Sequence, residues 1–129
     1  DSEQDAEAYM GCAGGVDANI HFHCQREAIP AGMQTFSLQV KGLRGGHSGV
    51  NIHQDRGNAN KLLSRVLQAL QAEQIRLATI SGGTLRNAIP RESTATVIIA
   101  GMYDEAYVFD MQEIIGDIKA EFKNTNHDE

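Results

Sequence analysis

The residue whose surroundings most favour chemistry is a histidine flanked by glycines. His47 follows Gly45 and Gly46 and precedes Ser48 and Gly49 in the stretch "GLRGGHSGV". Glycine tolerates positive φ and close backbone approach, and serine can fix a turn by a local hydrogen bond. An imidazole on such a loop can donate to a developing oxyanion or act as a general base. The alternative, a glycine turn with an incidental histidine, fits these residues equally well.

A second candidate is the asparagine in "GGTLRNAIP". The side-chain amide of Asn87 offers both a donor and an acceptor to a substrate, and it stands just before the bend that Pro90 predicts. The alternative is an asparagine that makes only a turn hydrogen bond. Arg86 and Arg91 flank it, and their guanidinium groups either attract a carboxylate or are simply solvated.

Metal binding has weaker support. His21 and His23 form an H-x-H pair, and imidazole suits Zn²⁺, but no Cys, Asp or Glu lies on the same short face as a third ligand. We therefore expect both histidines on the solvent face of a strand, with Cys24 turned into the core. The sequence contains no CxxC, HExxH, GxSxG or Walker motif.

Alternation and helical spacing predict the elements that position these residues. Residues 19–25 and 35–41 alternate between apolar and polar side chains, so each predicts a half-buried strand, and the second leads into the His47 loop. The period then changes to three and four, as shown by Ala59, Leu62, Leu63, Val66, Leu67 and Leu70. This stripe predicts a helix that begins at Gly57 or Asn58.

The second half of the sequence adds two strands and a helix. "QIRLATI" alternates weakly, "TLRNAIP" predicts a short extended segment, and "STATVIIAG" is rich in the β-branched residues that strands favour. Asp104 opens a second helix with an apolar stripe formed by Tyr107, Met111, Ile114, Ile115, Ile118 and Phe122. From Thr35 onward the order is strand, helix, strand, strand, helix.

This order predicts an α+β fold. It matches the ferredoxin-like split β-α-β-β-α-β plan with its last strand missing. Because both helices need an apolar surface to cover, we expect a two-layer sandwich with a mainly antiparallel sheet and both helices on one face.

Composition narrows the class of protein. The 129 residues fit one domain, and 41% hydrophobic content is ordinary for a soluble globular chain. A net charge of −6 argues against nucleic acid or an anionic membrane as a partner. No apolar run approaches the roughly 20 residues of a membrane helix, and two cysteines fit a reducing compartment, so we expect a cytoplasmic protein. The start without Met and the polar end "KNTNHDE" suggest a piece of a longer chain.

Two stretches together carry a family resemblance. "VKGLRGGHSGVNIHQDRGNANKLL" followed by "SGGTLRNAIPRESTATV" resembles the lid, or dimerisation, domain of the two-zinc metallopeptidases related to carboxypeptidase G and succinyl-diaminopimelate desuccinylase. The upstream "YMGCAGGVDANIHFHCQREAIPAG" is similar to the segment that enters the lid in the subgroup of bacterial aminoacyl-histidine dipeptidases. The resemblance extends over nearly the whole chain.

The resemblance implies a domain organisation and an activity. Residues 1–16 would connect from an absent catalytic domain, residues 17–123 would form the lid, and residues 124–129 would be a polar tail. The absent catalytic domain of the same chain would bind two Zn²⁺ ions and hydrolyse Xaa-His and other dipeptides, and the fragment alone would be inactive. A second copy of the chain is a further expected partner, with the strand over 35–41 and the first helix near the subunit surface.

The resemblance also implies roles for single residues. His47 would polarise the scissile carbonyl, often in the active site of the partner subunit, and Asn87 would contact the substrate. Asp1 matches a zinc ligand, although one ligand cannot hold a metal by itself. Several relatives carry an arginine in the strand after the asparagine that binds the substrate carboxylate, and "TATVIIAG" has none. Arg91, Arg86 or a group outside this sequence would take that role, and we expect the last. The rival hypothesis is a non-catalytic α+β module that dimerises or binds a small ligand.

Overall fold

A central strand organises the sheet. The computed structural model describes residues 5–11, 14–70, 75–100 and 105–123. Its strands and α-helices are β1 (Met33–Val40), β2 (Gly46–His47), α1 (Ala59–Ala69), β3 (Arg76–Gly82), β4 (Ala88–Ile89), β5 (Ser93–Ala100) and α2 (Glu105–Glu121). β1 and β3 both pair antiparallel with β5, which gives the order β1-β5-β3. The predicted α+β architecture is thus confirmed, and the described residues contain no fourth strand beside β1.

The core forms where α1 covers β5 and β1. Leu63 of the helix packs with Ala95 and Val97 of β5, and all three are almost completely buried. Phe36 and Leu38 lie directly opposite Val97 and Ala95 in the register, so they extend the same apolar face onto β1. The alternation in residues 35–41 therefore identified the buried face of β1 correctly.

The start of α1 follows from a side-chain cap. The Asn58 side-chain oxygen accepts hydrogen bonds from the backbone amides of Asn60 (3.1 Å) and Lys61 (3.2 Å), which satisfies two amides that lack a partner within the helix. The helix then buries the apolar stripe that the sequence predicted, from Ala59 to Leu70.

The second helix packs less closely. α2 contacts α1, and Arg65 of α1 forms an ion pair with Glu121 of α2 at 2.8 Å. Both side chains are about half exposed, so this pair contributes little to stability. Of the predicted stripe on α2, Ile114 and Ile118 are only half-buried and Ile115 is exposed. Asp104 lies outside the described residues.

The strand predicted over residues 19–25 is wrong. The segment is not paired as a strand, and the side chains of Ile20 and Phe22 are 72% and 82% exposed. Cys24, expected in the core, is also exposed. Alternation makes a strand amphipathic but does not supply a pairing partner, and here only residues on either side of the segment contact β3 and the turn after it, through their side chains.

Those side-chain contacts run along β3. Glu27 pairs with Arg76, and the Arg26 Nη1 donates to the backbone oxygen of Ala78 at 2.9 Å. Farther along, Asp17 pairs with Arg86, just beyond the end of β3. No helix in the described ranges is long and apolar enough to cross a membrane.

We predict that Leu63→Ala lowers the free energy of unfolding by about 2–5 kcal/mol, because it leaves a cavity between α1 and β5. Leu77→Ala on β3 is the matched control: its side chain is 51% exposed, so its loss is expected to be much smaller. Urea unfolding followed by circular dichroism measures both, and equal losses would contradict this assignment of the core.

Candidate functional site

A two-stranded ladder brings the two candidate loops together. β2 and β4 pair antiparallel, with Gly46 opposite Ile89 and His47 opposite Ala88. The Ser48 amide then donates to the Asn87 carbonyl oxygen at 2.8 Å. The sequence residues singled out for chemistry, His47 and Asn87, therefore lie on adjoining backbone segments, and both are exposed.

The ring of His47 is held by its own loop. The backbone amides of Gly49 and Val50 donate to Nδ1 at 3.0 and 3.2 Å. A ring nitrogen that accepts hydrogen bonds carries no proton, so the neutral imidazole has its proton on Nε2. The lone pair that a general base would use is already engaged, whereas Nε2–H remains a donor. The geometry thus favours the oxyanion-donor alternative over the general base.

The backbone of His47 is fixed just as closely. Its amide donates to Asn51 Oδ1 at 2.8 Å, and its carbonyl accepts from the Asn51 amide at 2.9 Å. A single turn of 3₁₀ helix, Ile52–Gln54, follows and ends at Asp55 in the left-handed region. The loop is a series of hydrogen-bonded turns around the histidine.

Two of the glycines are required by close packing. Gly45 has φ of +68°, and a Cβ there would lie 2.3 Å from Arg91 Cγ. Gly46 has φ of +146°, and a Cβ there would lie 2.5 Å from Arg56 Nη1 and 2.8 Å from Asn51 Oδ1. Distances below 3.0 Å would force the neighbouring groups apart, so side chains pack directly against the backbone that leads into the histidine.

The asparagine and its flanking arginines differ in their partners. Within the described part of the chain, the side-chain amide of Asn87 makes no hydrogen bond. Arg86 pairs with Asp17, and Arg91 Nε donates to the Leu43 carbonyl at 3.2 Å. Both arginines thus have structural partners, and Arg86 is also largely exposed.

The described residues do not form a metal centre. No group of three His, Cys, Asp or Glu side chains within the described ranges could hold an ion. His21 and His23 are exposed, but so are the residues on both sides of them, so the predicted solvent face of a strand is not present. Asp1 lies outside the described residues, so its role as a ligand stays a prediction.

The sequence that contains both candidate loops matches a family of peptidase domains. Residues 38–129 match the M20 peptidase dimerisation domain, and the chain belongs to that family.

Within it, the chain is 57% identical over 101 residues to the cytosol non-specific dipeptidase of Escherichia coli K12, covering 78% of this chain and 21% of that protein. An aminoacylhistidine dipeptidase structure from Vibrio alginolyticus superposes with a TM-score of 0.74 at 43% identity, over 81% of this chain and 21% of that one.

More distant structures share the fold alone. An aminobenzoyl-glutamate utilization protein from Klebsiella pneumoniae superposes with a TM-score of 0.55 at 22% identity, over 70% of this chain and 25% of that chain. The chain therefore spans about a fifth of the length of the dipeptidases that it matches and a quarter of this more distant protein.

Two residues of the site had no distinguishing signal in the sequence. Asn51 and Arg56 each read as an ordinary polar loop residue, yet both pack against Gly46. Asn51 lies four residues after His47, a spacing that allows a turn but does not require one. Arg56 is set apart only by the contacts that the folded loop creates.

We predict that His47 is the Nε2–H tautomer when neutral, because two amides donate to Nδ1. Long-range ¹H–¹⁵N correlation spectra distinguish protonated from unprotonated ring nitrogens. The exposed ring of His53, for which the described residues show no such contacts, is the internal control. A proton on Nδ1 of His47 would contradict the loop geometry.

Proposed function

We propose that the chain is the lid domain of a zinc-dependent cytoplasmic dipeptidase that hydrolyses Xaa-His and other dipeptides. The similarity to a cytosol non-specific dipeptidase and to an aminoacylhistidine dipeptidase supports this activity. The observation that carries the proposal is the His47 ring, which its own loop holds through Nδ1 so that Nε2–H is left as a donor, while the backbone of Asn87 adjoins the same loop.

In this proposal His47 acts on the transition state. As water adds to the scissile carbonyl, negative charge develops on the carbonyl oxygen, and a pre-positioned Nε2–H can donate to it. Such a donor binds the oxyanion better than the ground-state carbonyl, so it accelerates the chemical step. The loop keeps the ring oriented before the substrate arrives, which limits reorganisation during the reaction.

Asn87 has a different proposed task. Its amide carries a donor and an acceptor, which suits the peptide and terminal groups of a dipeptide in both the ground state and the transition state. Uniform binding of this kind affects KM more than kcat. We propose that Asn87 binds the substrate while His47 stabilises the transition state.

The zinc ions belong elsewhere in this proposal. The described residues do not fit a metal site, since no three His, Cys, Asp or Glu side chains among them lie close enough together to hold an ion. Two Zn²⁺ would be held by a catalytic domain of the same chain outside these residues, with Asp1 as one candidate ligand. That domain would also supply the group that binds the substrate carboxylate.

A second copy of the chain is part of the proposal. The family is described by its role in dimerisation, and β1 lies at an edge of the described sheet. We expect β1 and α1 near the subunit surface, which would let the His47 loop of one subunit reach the active site of the other.

In the full-length enzyme, we predict that His47→Ala lowers kcat by about 10²–10³, the cost of losing one oxyanion donor. Asn87→Ala is predicted to raise KM at least as much as it lowers kcat. Steady-state kinetics on both variants, with metal content measured alongside, tests the two roles. Near wild-type kcat for His47→Ala, or an equal loss of zinc, would refute the role of the histidine.

We also predict that the 129-residue chain alone folds but has no dipeptidase activity, because its described residues hold no set of catalytic ligands. Circular dichroism reports folding, and release of histidine from an Xaa-His dipeptide reports activity, with the full-length enzyme as the positive control. Zinc-dependent hydrolysis by the folded fragment would show that the chemistry resides in this chain.

A further inference from the structure

Arg56 connects the two ends of the loop that carries His47. Its Nη1 donates to the Gly45 carbonyl oxygen at 2.6 Å, and its Nη2 donates to Gln54 Oε1 at 2.5 Å. Gly45 lies two residues before the histidine, and Gln54 ends the 3₁₀ turn that follows it. One planar guanidinium therefore ties the beginning of the loop to its end, a geometry that a single-point ammonium group cannot reproduce.

The same guanidinium packs against the residue before the histidine. A Cβ on Gly46 would lie 2.5 Å from Arg56 Nη1 and 2.8 Å from Asn51 Oδ1, so both side chains touch this backbone. Asn51 Oδ1 in turn accepts from the His47 amide at 2.8 Å. The position of His47 thus depends on contacts that Arg56 supplies on one side and Asn51 on the other.

Stability alone does not explain this arginine. Its Nε is buried without a hydrogen-bond partner in the described part of the chain. Its acceptors there are a backbone carbonyl and an amide, neither of which is a carboxylate. A buried donor without a partner is destabilising. The side chain is better suited to fixing a geometry than to adding stability.

We propose that Arg56 is a positioning residue for the reaction, which fixes the His47 loop so that Nε2–H stays aimed at the oxyanion. Arg56 touches neither substrate nor metal in this role and acts only through His47. The inference rests on the function proposed above for His47. It adds that the histidine is effective only while the two ends of its loop are joined.

A double-mutant cycle in the full-length enzyme tests the inference. Arg56→Met frees the loop and is expected to lower kcat by about tenfold, since small displacements of a catalytic group are costly, with little change in KM or zinc content. In the His47→Ala background, the same change is expected to alter kcat by no more than about twofold, because the group it positions is gone. Removing the unpaired Nε–H offsets part of the lost bonding, so the Tm should change little.

Two further variants serve as controls. Arg65→Met removes an arginine of α1 whose ion pair with Glu121 lies on the helices, and it should leave kcat unchanged in both backgrounds. Arg56→Lys keeps the charge but cannot make both hydrogen bonds at once, so we expect its kcat to fall almost as far as that of Arg56→Met. It also provides the test if Arg56→Met fails to fold.

The outcomes separate this inference from the function on which it rests. If His47→Ala leaves kcat unchanged, the proposed function is wrong and this inference fails with it. If His47→Ala is slow but Arg56→Met is not, or if the two losses multiply in the double variant, only the role of Arg56 is wrong. Full activity in Arg56→Lys would show that charge, and not the joining of the loop ends, is what matters.

Discussion

The candidate site depends on one short ladder of hydrogen bonds. β2 and β4 contribute only two residues each, yet their pairing joins the loop after β1 to the loop before β5. Because β1 and β5 are antiparallel and paired along their length, the loop after β1 and the loop before β5 lie at the same end of the sheet. The Ser48–Asn87 backbone bond completes the junction. Without the β2–β4 pairing, His47 and Asn87 would lie on independent loops.

The loop geometry also restricts what the histidine can do. An isolated imidazole can be an acid, a base, a ligand or a donor, and the sequence alone left several of these open. Two backbone amides donate to Nδ1, so this nitrogen is no longer available as an acceptor, and the other ring nitrogen, Nε2, remains as a donor. A group prepared in this way suits stabilisation of charge on a substrate better than removal of a proton.

Local patterns in the sequence identified the buried face of α1 and β1 correctly, but a pattern alone could not show whether a distant partner covers the face it predicts. The stripe on α1, its cap at Asn58 and the β-branched strand β5 all follow from local spacing and composition, and all are present. The segment with Ile20 and Phe22 has equally good alternation but lacks a partner strand. β2 is too short to show a period. Arg56 could not be identified, because its role arises only when the loop closes around it.

The outer edge of β3 has a further consequence for how the molecule meets its neighbours. The register of β3 shifts between Leu77 and Thr79, and the carbonyl of the intervening Ala78 is taken by the guanidinium of Arg26. Irregular, charged edges resist the addition of a foreign strand, which otherwise begins aggregation. Arg26, which lies just after the segment that was predicted to be a strand, thereby hinders the pairing of a further strand with β3.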